Sequence, residues 1–285
     1  APGAGQYQSD PVSTDGTNND SLRGQGPAGV GFSSGVNWGP ASGTDAVAGF
    51  VYPRVLVSGL NYSDTSGNTL NTTEGAADWH RDPSSTSVLP KRETRSTNLA
   101  PPFDNTGYFS ALFQFTDGTE GQIELTQHDG GGGNSRDFFF GFDDQGRVIA
   151  GTSTSLGNSE TSAGSFAAGQ TYLLFGELVN DGVNDDLRLW INPSNLADPT
   201  ADVPLFDSSN IGPGWVGGNG SFTIRDVNLF ANTFSGSQFI FDEIRVGQTA
   251  GDVLPFTAAV PEPASIALWA LLGLMGLGYG WRRRV

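Results

Sequence analysis

"QTYLLFGELVNDGVNDDLRLWIN", from Gln170 to Asn192, is the stretch that most clearly indicates the fold. Its second half, LRLWIN from Leu187, alternates apolar side chains with Arg188 and Trp190, and this two-residue period is typical of a half-buried strand. Its first half, QTYLLFGELV, is apolar on both faces, as expected of a strand that is covered on both sides. The Asn, Asp and Gly residues between the halves form turns readily, so the stretch predicts two neighbouring strands.

Short apolar runs of the same kind recur along the chain, separated by clusters of Gly, Asn, Asp, Ser and Pro. Residues 1–256 contain no convincing amphipathic helix. The rhythm of strands and turns predicts an all-β fold, an antiparallel β-sandwich in which two sheets bury a shared face. We expect one domain over residues 1–256, with an irregular excursion over residues 61–105. The runs are GYFSALFQF from Gly107, RDFFFGF from Arg136, RVIAG from Arg147, SFTIRDVNLF from Ser221 and QFIFDEIRVG from Gln238.

Composition narrows the classes of function. The chain has 285 residues, a formal net charge of -16 and a hydrophobic content of 36%, which is enough apolar material for a sizeable core. Such an acidic surface repels phosphate backbones, so no nucleic-acid partner is expected. The chain has no Cys and only two His, His80 and His128, which excludes disulfides and thiolate metal sites and leaves little material for a catalytic triad.

Calcium is the metal that the acidic loops suit best. Ca²⁺ requires six to eight oxygen ligands, and a Gly-containing acidic loop can supply several of them. The same residues also stabilise an ordinary solvated turn, and both interpretations stay open. The candidate ligands are Asp181, Asn184, Asp185 and Asp186, and Asp143 with Asp144 forms a weaker second candidate.

Enzymatic chemistry is not expected. Polysaccharide hydrolysis needs two carboxyl groups about 5–10 Å apart on one face. Glu124 and Asp129 do not have a suitable spacing, and Asp242 and Glu243 are adjacent, so they are predicted to point to opposite faces of a strand. Trp79, in the irregular excursion, is interpreted as a docked loop anchor or as a platform for stacking a sugar.

The C-terminal end has a different character from the rest of the chain. Residues 257–263 form a Pro-rich linker, and residues 264–285 are predicted to form a hydrophobic helix that ends in an Arg cluster. About 18 uncharged residues make a helix of roughly 27 Å, close to the thickness of a bilayer core. Gly273, Gly276 and Gly280 suit close packing of one helix against another, so the tail is expected to lie in a membrane or against copies of itself. Glycine is also simply common in membrane spans.

The order of features in this tail resembles the PEP-CTERM sorting signal of bacterial envelope proteins. The resemblance rests on Pro261, Glu262 and Pro263, on the apolar span that follows them, and on Arg282, Arg283 and Arg284 at the end. It implies a membrane enzyme, an exosortase, as a partner that recognises the Pro-Glu-Pro residues and cuts nearby. It also implies that the Arg triplet stops transfer across the membrane, and that the product is released or anchored at the surface.

The body resembles the laminin-G-like, concanavalin-type jelly roll. The resemblance rests on DLRLWINP from Asp186 and on FDEIRVG from Phe241. It implies that the first motif is a sheet strand ending in an Asn-Pro turn, and that the second is the last strand of the sandwich. It indicates the fold and does not identify a ligand.

Together these features favour an exported, non-enzymatic structural protein of the bacterial cell surface or extracellular matrix. Its tail would sort or anchor it, and would allow copies to assemble into filaments. The alternative is a Ca²⁺-assisted carbohydrate-binding module with an extracellular polysaccharide as partner. A polysaccharide hydrolase is a more distant alternative.

Overall fold

The computed structural model describes residues 39–40, 54–56, 59–72, 76–80, 91–96, 106–128, 135–154, 157–180, 185–209, 224–232 and 237–259. Within them, two seven-stranded antiparallel sheets and a small two-stranded sheet account for the strands. The prediction of an antiparallel β-sandwich is therefore confirmed. Residues 264–285, for which the sequence predicts a hydrophobic helix, lie outside the described residues.

Sheet I contains seven strands, of which the last four in spatial order form an up-and-down meander. In spatial order they are β1 (Gly39–Pro40), β5 (Lys91–Ser96), β14 (Ile224–Asn232), β7 (Glu120–His128), β8 (Ser135–Phe142), β9 (Val148–Thr154) and β10 (Gly157–Ala163).

Sheet II contains the two neighbouring strands predicted within residues 170–192, because Phe175 pairs with Trp190 and Glu177 with Arg188. In spatial order its strands are β13 (Phe206–Ser209), β12 (Asp185–Ile191), β11 (Tyr172–Asn180), β6 (Thr106–Phe115), β15 (Gln238–Gly247), β4 (Ala76–His80) and β2 (Arg54–Leu56). β12 ends as the resemblance implies. Asn192 takes the left-handed conformation at φ 48° and accepts a hydrogen bond from the Leu173 N–H at 2.8 Å, just before Pro193.

The prediction of an irregular excursion over residues 61–105 was wrong for two segments. β4 and β5 lie inside this range, and each belongs to one of the large sheets. β4 was missed because Asp78 interrupts its apolar pattern, although Ala77 and Trp79 on either side pack in the core between the sheets. β5 reads KRETRS, and so many charges are not typical of a strand.

Phenylalanine fills the core between the two sheets. Phe113 of β6 is fully buried and has its ring centroid 5.6–6.1 Å from those of Phe140, Phe142, Phe239 and Phe241. All four pairs are edge-to-face, an arrangement that aromatic quadrupoles favour.

A second apolar layer covers the outer face of sheet II, and we call the segments that form it the cap. The cap consists of residues 59–72, residues 193–205 and residues 248–259. It includes β3 (Thr69–Leu70), a 3₁₀ helix (Pro199–Ala201), α1 (Ala250–Val253) and β16 (Phe256–Thr257). The sheet contributes Leu112, Leu173, Phe175, Trp190 and Ile240 to this layer, and the cap contributes Leu60, Leu70, Leu196, Val253 and Leu254.

Candidate functional site

The FDEIRVG motif on β15 forms a buried charged cluster beneath the cap. Asp242, Glu243 and Arg245 are each 0% exposed. β15 contains a bulge at this point, because Asp242 pairs with Leu112 whereas Arg245 pairs with Ser110. Two residues of β15 therefore face one residue of β6, and Glu243 takes the left-handed conformation at φ 49°.

This bulge corrects the prediction that Asp242 and Glu243 point to opposite faces. The extra residue breaks the alternation of the strand, so that Glu243 turns to form an ion pair with Arg245 at 2.5 Å. Asp242 accepts hydrogen bonds from the N–H groups of Leu60 at 2.6 Å and of Glu243 at 2.8 Å.

The same cluster holds the cap in place. Arg245 donates to the backbone carbonyls of Asn71 and Val253, and Ser110 donates to the Val253 carbonyl at 2.7 Å. Together with the Leu60 N–H, these bonds connect β15 and β6 to two separate cap segments. The charged residues of the motif therefore bind the protein's own backbone.

Burial dominates the electrostatics of the cluster. It raises the pKa of the Asp242 carboxyl well above its ordinary value, and the Glu243 carboxylate adds to this effect, whereas the two N–H donors and Arg245 oppose it. Burial also lowers the pKa of Arg245, against the attraction of Glu243 and Asp242. A carboxyl group that is 0% exposed cannot reach a substrate in solution.

Asp64 is the second polar centre of the cap. Its carboxylate accepts four hydrogen bonds, from the N–H groups of Ser66, Asn68 and Leu196 and from the Asn68 side-chain amide, all at 2.8 Å. Burial acts to raise the pKa of Asp64, but these bonds outweigh it and lower the pKa below its ordinary value. Asp64 therefore closes its own loop and joins it to the 193–205 segment.

The chain leaves the body beside this loop. Phe256 and Thr257 of β16 pair with Leu70 and Thr69 of β3. Beyond them, the Ala259 N–H donates to the side-chain oxygen of Asn68 at 3.1 Å. A second anchor involves Asn71, whose N–H donates to the Pro255 carbonyl at 2.8 Å and whose side-chain oxygen accepts from Thr257 at 2.5 Å. We call this set of contacts the exit clamp.

A row of polar side chains crosses four neighbouring strands of sheet II. Tyr108, Glu177, Arg188 and Asp207 are register partners on β6, β11, β12 and β13. Glu177 accepts from the Tyr108 hydroxyl at 2.9 Å and pairs with Arg188 at 3.1 Å. Burial, followed by the bond to Glu177, raises the pKa of Tyr108 to about 12, so its hydroxyl stays protonated at neutral pH.

The Ca²⁺ candidates fall at the β11–β12 hairpin. Asp185 and Asp186 begin β12, where the backbone of Asp185 pairs with that of Asn180, whereas Asp181 and Asn184 lie outside the described residues. In the second candidate, Asp143 accepts hydrogen bonds from the N–H groups of Gln145 and Arg147 and forms an ion pair with the Arg147 side chain at 2.6 Å. A cation at Asp143 would have to displace Arg147. In the described parts of the chain, no three His, Asp or Glu side chains converge as metal ligands do.

The remaining predicted residues are placed as follows. Trp79 is 3% exposed and its ring centroid lies 5.0 Å from that of Phe241, so it packs in the core and does not form a surface platform. Glu124 accepts from the Gln122 side chain at 2.9 Å on β7, and Asp129 is outside the described residues.

The residues of the predicted tail are also outside the described residues. They are Pro261, Glu262, Pro263, Gly273, Gly276, Gly280, Arg282, Arg283 and Arg284. None of the helices between residues 39 and 259 that the structure describes combines the length and the apolarity that a membrane span requires.

Sequence reasoning missed Asn68 and Asn71, the residues of the exit clamp. A partial signal was present in the "SDTSGN" of residues 63–68, since Asp followed by Gly and Asn predicts a tight turn. The turn is observed, with Gly67 at φ 81°. Its contact with residue 259, almost two hundred positions later, has no local signal.

Solved structures similar to this chain include a lyase, a galectin and a carbohydrate-binding module. An endo-β-1,4-glucuronan lyase of Trichoderma reesei is 13% identical with a TM-score of 0.45, covering 77% of this chain and 97% of the lyase. A galectin of Caenorhabditis elegans is 14% identical with a TM-score of 0.32, covering 60% and 95%. The carbohydrate-binding module CBM66 of Bacillus subtilis is 11% identical with a TM-score of 0.34, covering 67% and 92%. The search of curated protein sequences found no match.

One family model matches the chain, the PEP-CTERM protein-sorting motif, over residues 259–284. The match confirms the sorting signal that was predicted from the tail. This motif is the substrate signal for an exosortase and indicates an exported protein that is sorted at the cell envelope. Residues 259–284 of this chain therefore form a PEP-CTERM protein-sorting motif, which starts at Ala259, the last residue with a described contact to the β-sandwich body.

Proposed function

We propose that the chain is a non-enzymatic structural protein of the bacterial cell surface or extracellular matrix. The observation that carries the proposal is the position of the sorting motif, which begins at Ala259, the last residue of the exit clamp. Pro261, Glu262 and Pro263 act as the recognition residues for the exosortase, and the Arg triplet from Arg282 holds the end of the tail in the cytoplasm. A cut near Pro263 leaves every contact of the exit clamp in the product.

The use of charge within the body supports a structural role. Asp242, Glu243 and Arg245 connect the cap to sheet II, and Asp64 closes the cap loop. Glu177 is held between Tyr108 and Arg188, so both of its oxygens are engaged. The contacts of these groups are made within the protein itself, and they stabilise the fold.

The test uses the full chain in its native host. We expect that replacing Pro261, Glu262 and Pro263 together by Ala leaves the tail uncut, so that the intact mass retains the tail and the protein accumulates with the membrane. Val260→Ala is the matched control, because it changes the residue next to the motif, and it is expected to be processed like the unmodified chain. Normal processing and sorting of the triple variant would refute the proposal.

The proposal also includes self-assembly of the protein through its uncut tail. Gly276 and Gly280 have the four-residue spacing that allows close approach of two helices, and Gly273 extends the stripe of small residues. Uncut tails would then pack against one another in a membrane or along the axis of a filament. Electron microscopy of native material tests this. Regular fibres that contain the uncut tail support assembly, and dispersed particles that retain the tail argue against it.

The rival proposal is a Ca²⁺-assisted carbohydrate-binding module. The row of Tyr108, Glu177, Arg188 and Asp207 supports it, because an aromatic ring beside hydrogen-bonding side chains suits a sugar surface. Asp207 is 60% exposed at the open end of this row. A glycan array probed with the full chain, with and without a chelator, separates the proposals, because calcium-dependent binding to a polysaccharide favours the rival.

A further inference from the structure

The sorting motif is tethered very close to the cap. The last described contact is the hydrogen bond from Ala259 to Asn68, and Pro261 follows two residues later. An extended chain spans at most about 3.3–3.6 Å per residue, so Pro261 lies within roughly 7 Å of the clamp and Pro263 within roughly 14 Å. An enzyme that binds the Pro-Glu-Pro residues must therefore also contact the body around the exit clamp.

The surface around the clamp is one continuous patch. The loop of residues 64–68 contacts Ala259 on one side and the 193–205 segment on the other, through Thr65 to the Ser194 carbonyl at 2.8 Å and through Asp64 to the Leu196 N–H at 2.8 Å. We call this patch, formed by residues 64–68, 193–204 and 257–259, the exit face.

The exit face is acidic. Its three stretches, residues 64–68, 193–204 and 257–259, contain Asp64, Asp198 and Asp202 and neither Lys nor Arg. Two described cations lie near them. Arg245 is 0% exposed beneath the cap, and Arg188 is paired with Glu177 and Asp207. Anionic lipid headgroups would be repelled by such a face, whereas a basic protein surface would be attracted to it.

The face also carries an exposed apolar side chain. Val203 is a large hydrophobic side chain that is 90% exposed. It lies directly after Asp202, whose carboxylate holds the loop through the N–H and hydroxyl groups of Ser194 at 2.5 Å and 2.7 Å. An apolar side chain beside an acidic one, on a loop that is held in this way, fits a protein partner that offers an apolar spot within a basic surface.

We propose that the exit face docks against a basic, membrane-proximal surface of the enzyme that processes the tail, so that recognition involves the folded body as well as the Pro-Glu-Pro residues. This inference rests on the proposed function. Docking raises the local concentration of the motif at the enzyme and determines which side of the body faces the membrane.

The test compares charge reversal on the exit face with the same reversal elsewhere. Asp198 is exposed, and its side chain accepts one described hydrogen bond, from Thr200 at 3.2 Å, so Asp198→Lys should leave the fold intact. Asp144→Lys is the matched control, because Asp144 is an exposed acid in the turn between β8 and β9 of the other sheet. Val203→Ser removes the apolar contact without changing charge.

The full-length variants are expressed in the native host, and intact mass is followed over time. We expect Asp198→Lys to slow tail removal about fivefold or more, Val203→Ser to slow it less, and Asp144→Lys to match the unmodified chain. Thermal unfolding of the purified variants confirms that each one is folded. If Asp198→Lys is processed at the normal rate, the face does not dock. If the Asp198→Lys variant is processed faster, the exit face lies against anionic lipid and not against a basic protein surface, and the proposal is overturned.

Sorting through the Pro-Glu-Pro residues and docking of the exit face can be refuted independently. If the Pro-Glu-Pro triple variant is still processed, the proposed sorting function is wrong. If that variant is blocked while Asp198→Lys behaves as the unmodified chain does, sorting stands and docking is excluded.

Discussion

At the residue scale, Glu243 combines two unfavourable features, a buried carboxylate and a left-handed backbone at φ 49°. Each is tolerated only where the surroundings compensate. Arg245 provides the compensation, because it neutralises Glu243 and also donates to two cap carbonyls. The cluster is therefore a fixed structural junction, and its stability should depend strongly on the one cation.

We expect Arg245→Met to reduce the free energy of unfolding by about 3–5 kcal/mol, because it leaves buried carboxyl groups without their cation. Arg147→Met is the control. It breaks the Arg147–Asp143 pair, in which the Arg side chain is 42% exposed, and should cost about 1 kcal/mol or less. Urea denaturation measures both values. Equal losses would contradict the structural role of Arg245.

The raised pKa of Asp242 predicts a pH dependence of stability. Between the ordinary carboxyl pKa of about 4 and the raised value in the fold, the folded state binds more protons than the unfolded state. The contribution of Asp242 to stability is therefore full at low pH and is lost as pH rises through this window. Asp64, with its lowered pKa, has the opposite effect and loses its contribution as pH falls.

Asp242→Asn isolates the first effect, because the amide cannot ionise. Urea unfolding at a series of pH values from acidic to neutral should show a less negative slope of stability against pH in the variant than in the unmodified protein. Asp64→Asn should change the slope in the other direction, and serves as the comparison. Identical slopes for the unmodified chain and Asp242→Asn would show that Asp242 does not titrate in this range.

At the scale of elements, sequence pattern predicted strands that carry apolar runs, missed a strand whose composition is charged, and did not reveal the bulge within β15. The hairpin of β11 and β12 was predicted because its apolar period and its turn residues agree. β5 was missed because its composition is charged, and the β15 bulge was missed because nothing in FDEIRVG shows that Glu243 takes a left-handed backbone. The exit clamp joins residues about 190 positions apart, and no local pattern encodes such a contact.

The exit clamp makes a prediction about where the folded body ends. A chain that stops after Ala259 keeps the whole clamp and should have the same free energy of unfolding as the body of the full chain. A chain that stops after Pro255 loses β16, the Phe256 side chain in the cap layer and the bonds from Thr257 to Asn71 and from Ala259 to Asn68. We expect it to be about 1–3 kcal/mol less stable. Thermal or urea unfolding of both chains checks this, and equal stability would mean that the clamp contributes nothing.

At the scale of the whole molecule, a structural surface protein should keep its fold when metal is removed. We expect the melting temperature of the full chain to change little between a chelator and millimolar Ca²⁺, because Phe packing and the buried Asp242–Glu243–Arg245 cluster stabilise the body. A clear rise with Ca²⁺ that is lost on replacing Asp186 by Ala would instead favour the lectin-like rival, since a weak extracellular Ca²⁺ site acts in this concentration range. Differential scanning calorimetry distinguishes the two outcomes.

The exit clamp also determines how an anchored molecule would respond to mechanical force. Tension applied through the tail reaches the Ala259–Asn68 hydrogen bond first, then the Thr257 contacts, and then the Phe256–Leu70 pair. These contacts would break one after another. Each contact would carry the full force in turn, and would therefore break at low force. The freed residues would lengthen the tether by a few residues while the two large sheets remain closed. The tether would therefore extend at low force before the body unfolds.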